Sequence, residues 1–354
     1  MPVRDEISWL DPRPALPQAQ EGGVLGPEDR ASWREAGFCL VDGVLPAEAL
    51  AGAQDFIRDE LPVPSPEERE AITDFGSGDR LVFPTGQGAL DAITLHPRIL
   101  TAVSELLETP IPEIRLTQSD LWPKFARNAR AGGRYDNTDQ RIHVDYPNHT
   151  LTHPPAWDQP DAVEIILYFD PVEECGGATA VVPRQGPDDP AYGWPIVNTP
   201  GVGTLPWIND RELAEQALAE QAPEIERFRA ENLYPREQRA RFAPGTVLFY
   251  RHDTWHRGTP LRPGKRRVVQ NMTFRKAASE WISVLHSGWA WKMYRPDLSV
   301  ERLVARATVD QRCVLGFPAP GHPYWTPETL AAVRARYGEL GMDVSPYARA
   351  LDDS

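Results

Sequence analysis

The chain has 354 residues, and a hydrophobic fraction of 41% supplies enough apolar material for a packed core and excludes global disorder. A formal net charge of −14 excludes a protein that coats duplex nucleic acid, since it leaves nothing to neutralise a phosphate backbone over a long footprint. The basic cluster Lys265, Arg266 and Arg267 is too small for that task and suits one or two carboxylates.

Residues 1–25 contain Pro, Gly and Gln without a sustained period, which predicts a loosely held arm ahead of a single domain over residues 26–354. Pro27 opens a short helical pattern that closes before Gly37. Phe38–Asp42 reads as a strand, and a second helix runs from Pro46 to about Leu61. Ser65, followed by Pro66, Glu67 and Glu68, resembles a capped helix start. From Ile114 to Arg275 the pattern changes to segments rich in β-branched and aromatic residues: Ile114–Leu121, Ala162–Phe169, Thr179–Val182, Thr246–Tyr250 and Val268–Phe274. Turns such as Pro244-Gly245 separate them. The expected architecture is mainly β with flanking helices. A double-stranded β-helix core (jelly-roll, cupin-like) spans residues 114–276, with a helical N-terminal flank at 26–113 and a helical C-terminal extension at 277–354. A long insertion at 184–240 carries a polar helical stretch, Arg211–Ala222, stopped by Pro223. Thr326 and Pro327 read as the N-cap and first residue of a further helix ending near Gly341.

Cys39, Cys175 and Cys313 are far apart and odd in number, which predicts reduced core thiols in a cytoplasmic protein. The first residues lack the apolar run of a signal peptide. The apolar stretch Ala162–Phe169 falls far short of the ~20 residues a bilayer span requires, so no membrane partner is expected.

Two segments carry the chemistry. His143 and Asp145 are two residues apart, so on an extended chain an imidazole and a carboxylate point to the same side. Far downstream, His256 offers a third ligand, with His252, His149 and His153 as competitors. Two histidines and one carboxylate on one face, with the opposite positions open, form the ligand set of non-haem Fe(II) oxygenases. Arg267 lies 11 residues beyond His256, past the Pro263-Gly264 turn and at the start of a predicted strand. A hairpin of that length brings the two onto neighbouring strands, where the planar guanidinium suits the far carboxylate of a chelating dicarboxylate. Arg266 faces the other way and reads as a surface charge.

Together with the opening run Ala36–Leu45 and the stretch Cys175–Pro183, these segments resemble the phytanoyl-CoA dioxygenase family, which includes ectoine hydroxylase, over roughly residues 26–276. The resemblance implies Fe(II) held by His143, Asp145 and His256, and 2-oxoglutarate as cosubstrate with its 5-carboxylate on Arg267. Gln118 and Lys124 match a Gln-x5-Lys strand that reaches the cosubstrate, and Thr179 is a further candidate for the same pocket. The chain departs from the family where a small hydroxyl residue often follows two positions after the distal histidine. Here Gly258 stands there, with Thr259 next, so the second contact to the cosubstrate carboxylate is unassigned. A position that is aromatic in ectoine hydroxylase is His149, which implies a different substrate wall. The tryptophans Trp281, Trp289, Trp291 and Trp325 lie outside these motifs and read as core.

The implied reaction takes a small-molecule substrate and O2, and converts 2-oxoglutarate to succinate and carbon dioxide. Retention of the carboxylate Asp145 favours hydroxylation or desaturation over halogenation. The insertion at 184–240 and the segment 146–160 are candidate lids. Two other readings stand beside this one: a metal-dependent jelly-roll enzyme that does not use 2-oxoglutarate, and a non-catalytic β-barrel binding module. The spacing of Arg267 speaks against the first, and the open three-ligand set against the second. Substrate identity and oligomeric state are not encoded in any recognisable motif.

Overall fold

The computed structural model describes residues 7–17, 23–71, 81–126, 137–145, 157–193 apart from 159, 208–278 and, with short interruptions, 299–352. Its strands, in chain order, are β1 (Ser8–Leu10), β2 (Arg13–Pro14), β3 (Phe38–Asp42), β4 (Ile114–Phe125), β5 (Ala162–Tyr168), β6 (Thr179–Val181), β7 (Gln238–Ala240), β8 (Val247–Tyr250), β9 (His256–Gly258) and β10 (Arg266–Lys276). They form a six-stranded sheet in the order β2-β3-β8-β5-β10-β4 and a four-stranded sheet in the order β1-β7-β6-β9. Both sheets are mixed, with β1 on β7 and β2 on β3 in parallel and the other named pairs antiparallel. The jelly-roll core expected from the turn-separated strands is present as these two sheets, with helices on the outside.

Alternation along the strands divides the interior. Cys39 and Val41, Val163, Ile165 and Leu167, Val247 and Phe249, and Val268, Met272 and Phe274 point outward from the sandwich. They pack against the helices α1 (Pro27–Ala36), α2 (Ala47–Glu60), α4 (Gly88–Thr94) and α5 (Pro97–Leu107), through Trp33, Ile57, Leu90, Ile93, Leu100 and Val103; α3 (Pro66–Ala71) lies between α2 and α4 in the chain. The other face of the same strands presents Phe38, Leu40, Ile166, Tyr168, Leu248 and Val269 to the four-stranded sheet, where Val181 and Ala240 meet them. A cavity opens within this second layer.

A bulge decides what β4 contributes. The register against β10 shifts between Thr273 and Phe274, leaving Thr117 without a partner. Such an extra residue reverses the facing of everything beyond it. Before the bulge Ile114 and Leu116 enter the helical core. Beyond it Leu121 does so, while Gln118, Trp122 and Lys124 turn to the cavity.

Most element boundaries fall within a few residues of the sequence expectations, with α1 and β3 coinciding with them. Ser65 forms the expected cap of α3: its Oγ accepts from Glu68 N at 3.2 Å, and Glu68 Oε2 accepts from Ser65 N at 2.8 Å. Two expectations need correction and a third holds with an addition. Within the segment expected to be a loosely held arm, β1 and β2 pair with β7 and β3, and Val24 and Leu25 are buried, because Leu25 and its neighbours complete the helical core. Pro223 ends the helix Arg211–Gln221 and also begins another, Pro223–Asn232, in which it occupies the first turn and loses no hydrogen bond. Arg266 is half-buried and donates to Ile57 O at the end of α2 rather than standing as a free surface charge.

Near the C-terminus, Trp325 packs with Tyr337, Tyr347, Val304 and Met342 in a separate apolar cluster, as expected of a core tryptophan. Trp281, Trp289, Trp291 and Thr326 lie outside the described residues. All three cysteines are buried and free. Among the described residues no helix is long and apolar enough to cross a membrane.

Candidate metal centre

His256 opens β9, and the segment carrying His143 lies antiparallel beside it. His143 N donates to His256 O at 2.9 Å and His256 N to His143 O at 2.8 Å. This reciprocal pair brings the imidazoles together with ring centroids 4.3 Å apart. Asp145, anchored by its N–H to His252 O at 3.0 Å, completes the group. Its Oδ1 lies 3.7 Å from His143 Nε2 and its Oδ2 3.4 Å from His256 Nε2. One ligand atom from each residue falls within 4.8 Å of the others.

The donor chemistry fits a divalent cation. His143 Nδ1 lies 3.0 Å from Arg141 O, and His256 Nδ1 lies 3.0 Å from Thr254 O. A carbonyl only accepts, so each Nδ1 carries the proton and each Nε2 keeps its lone pair aimed at the centre. Burial, then the neighbouring His256 and Arg141, hold His143 well below the ordinary imidazole range, which keeps it a neutral ligand. Tyr250, at the end of β8, donates its hydroxyl to Asp145 Oδ2 at 2.9 Å and so fixes the carboxylate. Its ring lies 4.7 Å from that of His256.

His252 does not join the group. Its Nε2 instead lies 2.7 Å from Glu164 Oε1, and both side chains are buried. Burial and the Asp145 carboxylate push Glu164 well above the usual carboxylate range. His149 and His153 lie outside the described residues.

A cavity of about 280 Å³ opens on the centre, lined by the three candidate ligands and by all four further candidates: Gln118, Lys124, Thr179 and Arg267. Arg267 does not sit on a strand beside His256, as the hairpin spacing predicts. β9 pairs with β6 and β10 pairs with β4 and β5, so the two residues face one another across the sandwich. Their convergence survives because the chain from 259 to 265 crosses from one sheet to the other.

Arg267 is 8% exposed and forms no ion pair among the described residues. Its Nη1 donates to Gly177 O, while Nε is buried without a partner. Gly177 has φ +63°, and a Cβ there would meet Leu261 Cδ2 at 2.4 Å, so glycine alone presents this carbonyl. Burial lowers the guanidinium's affinity for its proton, and the charge of Asp170, which makes no ion pair with it, offsets this only in part. A ligand carboxylate is the natural counter-charge for it.

Lys124 pairs with Arg267 in register and directs Nζ to Thr138 O at 3.1 Å and Thr259 O at 3.2 Å. Thr179 is buried and its Oγ1 accepts from Tyr168 OH at 2.8 Å. Gln118 Nε2 donates to Asp120 Oδ2 at 2.6 Å, so part of its capacity is taken by its own strand. Sequence reasoning missed Tyr250, Gln140 and the Arg141–Asn209 pair, in which Arg141 Nη1 donates to Asn209 Oδ1 at 3.0 Å. Burial and the nearby Arg229 bring Arg141 down to about 10. Arg141 and Tyr250 belong to the flagged segments, but nothing in their spacing marks them.

Several solved structures are similar to the chain. SnoK, a non-haem α-ketoglutarate-dependent carbocyclase from nogalamycin biosynthesis, is 16% identical with a TM-score of 0.48, covering 72% of this chain and 87% of its own. EvdO2 from Micromonospora carbonacea var. aurantiaca, complexed with 2-oxoglutarate, is 16% identical with a TM-score of 0.47, covering 74% and 98%. HygX from Streptomyces hygroscopicus, with nickel and 2-oxoglutarate bound, is 13% identical with a TM-score of 0.42, covering 72% and 88%. No curated protein matches the chain. The phytanoyl-CoA dioxygenase (PhyH) family model matches residues 33–269, more than half of the chain, which therefore belongs to this family of Fe(II)- and 2-oxoglutarate-dependent oxygenases.

Proposed function

We propose that the chain hydroxylates or desaturates a small organic metabolite, with Fe(II) on His143, Asp145 and His256 and the 5-carboxylate of 2-oxoglutarate on Arg267. The observation that carries this reading is the pairing, in one cavity, of three convergent donors with a buried guanidinium that lacks a carboxylate partner among the described residues. When bound, iron and 2-oxoglutarate supply the oxidising power, consuming O2 and releasing succinate and carbon dioxide.

The chain's own part is orientation and exclusion. The backbone carbonyls of Arg141 and Thr254 fix both imidazoles, and Tyr250 fixes Asp145. Arg267 and Lys124 hold the cosubstrate, with Thr179 and Gln118 contributing to the wall of the same cavity. Ile166 on β5, Val269 on β10 and, beyond the bulge, Trp122 on β4 line the same cavity, where they exclude water. Free buried thiols support a reducing, cytoplasmic setting.

Anaerobic titration with Fe(II) and 2-oxoglutarate, followed by the visible metal-to-ligand charge-transfer band, tests the reading. The band should appear in the wild type and vanish in His143→Ala. In Arg267→Ala it should require roughly ten to a hundred times more 2-oxoglutarate, as expected for loss of a charged hydrogen-bond pair. An iron-loaded wild type without the band defeats the proposal.

A further inference from the structure

Gly258 is the second residue beyond His256, and its surroundings are unusually full. A Cβ at this position would lie 2.5 Å from Gln140 Oε1, 3.4 Å from Gln140 Cδ and 3.4 Å from Lys124 Nζ. At the first distance the amide of Gln140 would have to shift. The space that a side chain at 258 would fill is therefore occupied by the amide of Gln140, which lines the cavity with Lys124 and Arg267.

The orientation of that amide is fixed by its partner. Gly258 N lies 2.8 Å from Gln140 Oε1, and a backbone N–H only donates, so the oxygen faces Gly258. The Gln140 backbone is tied to the same residue, its N–H donating to Gly258 O at 3.1 Å. The amide nitrogen consequently occupies the other corner, and it hydrogen-bonds to no described residue.

Three neighbours define which part of the cavity it serves. Lys124 is the register partner of Arg267 on the six-stranded sheet. Thr179 is the register partner of Gly258 on the four-stranded sheet. Lys124 Nζ reaches across to Thr259 O. Gln140 therefore stands at the cationic end of the cavity, with Lys124 and the Arg267 guanidinium. Thr259, the nearest hydroxyl in sequence, is not available there, because it is buried and donates to Ala178 O at 2.8 Å.

We infer that Gln140 is a cosubstrate-binding residue, whose Nε2 donates a hydrogen bond to the carboxylate held by Arg267, and that glycine at 258 leaves this amide in place where a side chain would displace it. The inference rests on the proposed use of 2-oxoglutarate. It makes the site a two-residue device. Position 258 supplies a backbone donor and an empty volume, and position 140 supplies the polar group that fills it.

The test is calorimetric titration of 2-oxoglutarate into the Mn(II)-loaded, oxygen-free protein, with thermal melting of each variant without ligand as the control for folding. Gln140→Ala should weaken binding about tenfold. Gln140→Glu retains an oxygen for Gly258 N–H but replaces the donor by a second carboxylate oxygen. It should weaken binding more than Gln140→Ala, although its fit to Gly258 is unchanged. Gly258→Ser should weaken binding by collision with Gln140. The double variant Gln140→Ala/Gly258→Ser, which has room for the new hydroxyl, should recover to within about threefold of the wild type. Wild-type affinity in both Gln140→Ala and Gln140→Glu overturns the inference. So does a double variant no better than the worse of its parents. A wild type that does not bind 2-oxoglutarate at all defeats the underlying reading instead.

Discussion

Tyr250 shows how a residue outside the ligand set governs it. Its hydroxyl donates to Asp145 Oδ2 at 2.9 Å, and its ring touches His256, so it positions two candidate ligands. Burial, with the charges of Asp145 and Glu164, holds the phenol well above its ordinary range, which favours the protonated, donating form. Tyr250→Phe keeps the ring and removes the donor. Metal affinity should fall about tenfold, the lower end of what such supporting contacts contribute, while the apo-protein melts at the wild-type temperature. Competition between Mn(II) and a fluorescent chelator measures this, and unchanged affinity would remove Tyr250 from the site. The convergence of the candidate ligands His143 and Asp145 was readable from the sequence because it follows from a two-residue spacing on extended chain. Tyr250 and Gln140 were not, because each meets its partner only through pairing of distant segments. Tyr250 reaches back across more than a hundred residues to Asp145, and Gln140 forward to Gly258.

At the scale of elements, α5 carries a titratable cap. His96 Nδ1 accepts from Arg98 N at 3.2 Å at the start of the helix, which requires the neutral imidazole. Burial, then the charge of Arg98, lowers its affinity for a proton below the ordinary value of 6.5. The unfolded chain thus takes up this proton first as pH falls. The contribution of the cap is complete above about pH 6.5 and is lost as pH drops through the lower, folded-state value. Denaturant unfolding at pH 8 and pH 5 should show a larger loss for wild type than for His96→Asn, whose cap does not titrate. Equal losses would mean that the cap is not the titrating contact. Sequence patterns located α5 only as part of a helical flank, since the cap is a histidine rather than the usual Ser, Thr, Asp or Asn. The strands were more legible than their pairing. Runs of β-branched and aromatic residues between turns marked β5, β8 and β10, yet they could not show that the bulge at Thr117 reverses β4, nor that β9 and β10 join different sheets.

The whole molecule places the two halves of the site on different layers. His256 belongs to the four-stranded sheet, with His143 and Asp145 bound alongside it, whereas Arg267 and Lys124 belong to the six-stranded sheet. A cation on the three ligands engages the first layer alone. A dicarboxylate bound to that cation and to Arg267 joins the two layers, so it should stabilise the fold only when the metal is present and the guanidinium intact. Ligand present at 100 times its dissociation constant adds about 2.7 kcal/mol to the folded state, enough to raise the melting temperature by several degrees. Thermal unfolding of the oxygen-free protein should therefore show a rise with Mn(II), a further rise with Mn(II) and 2-oxoglutarate together, and little effect of 2-oxoglutarate alone. In Arg267→Ala the first rise should persist and the second should disappear at the same ligand concentration. If Arg267→Ala retains the full second rise, the cosubstrate does not bridge the layers. Its far carboxylate would then belong elsewhere in the cavity, and the buried guanidinium would serve the Gly177 turn alone.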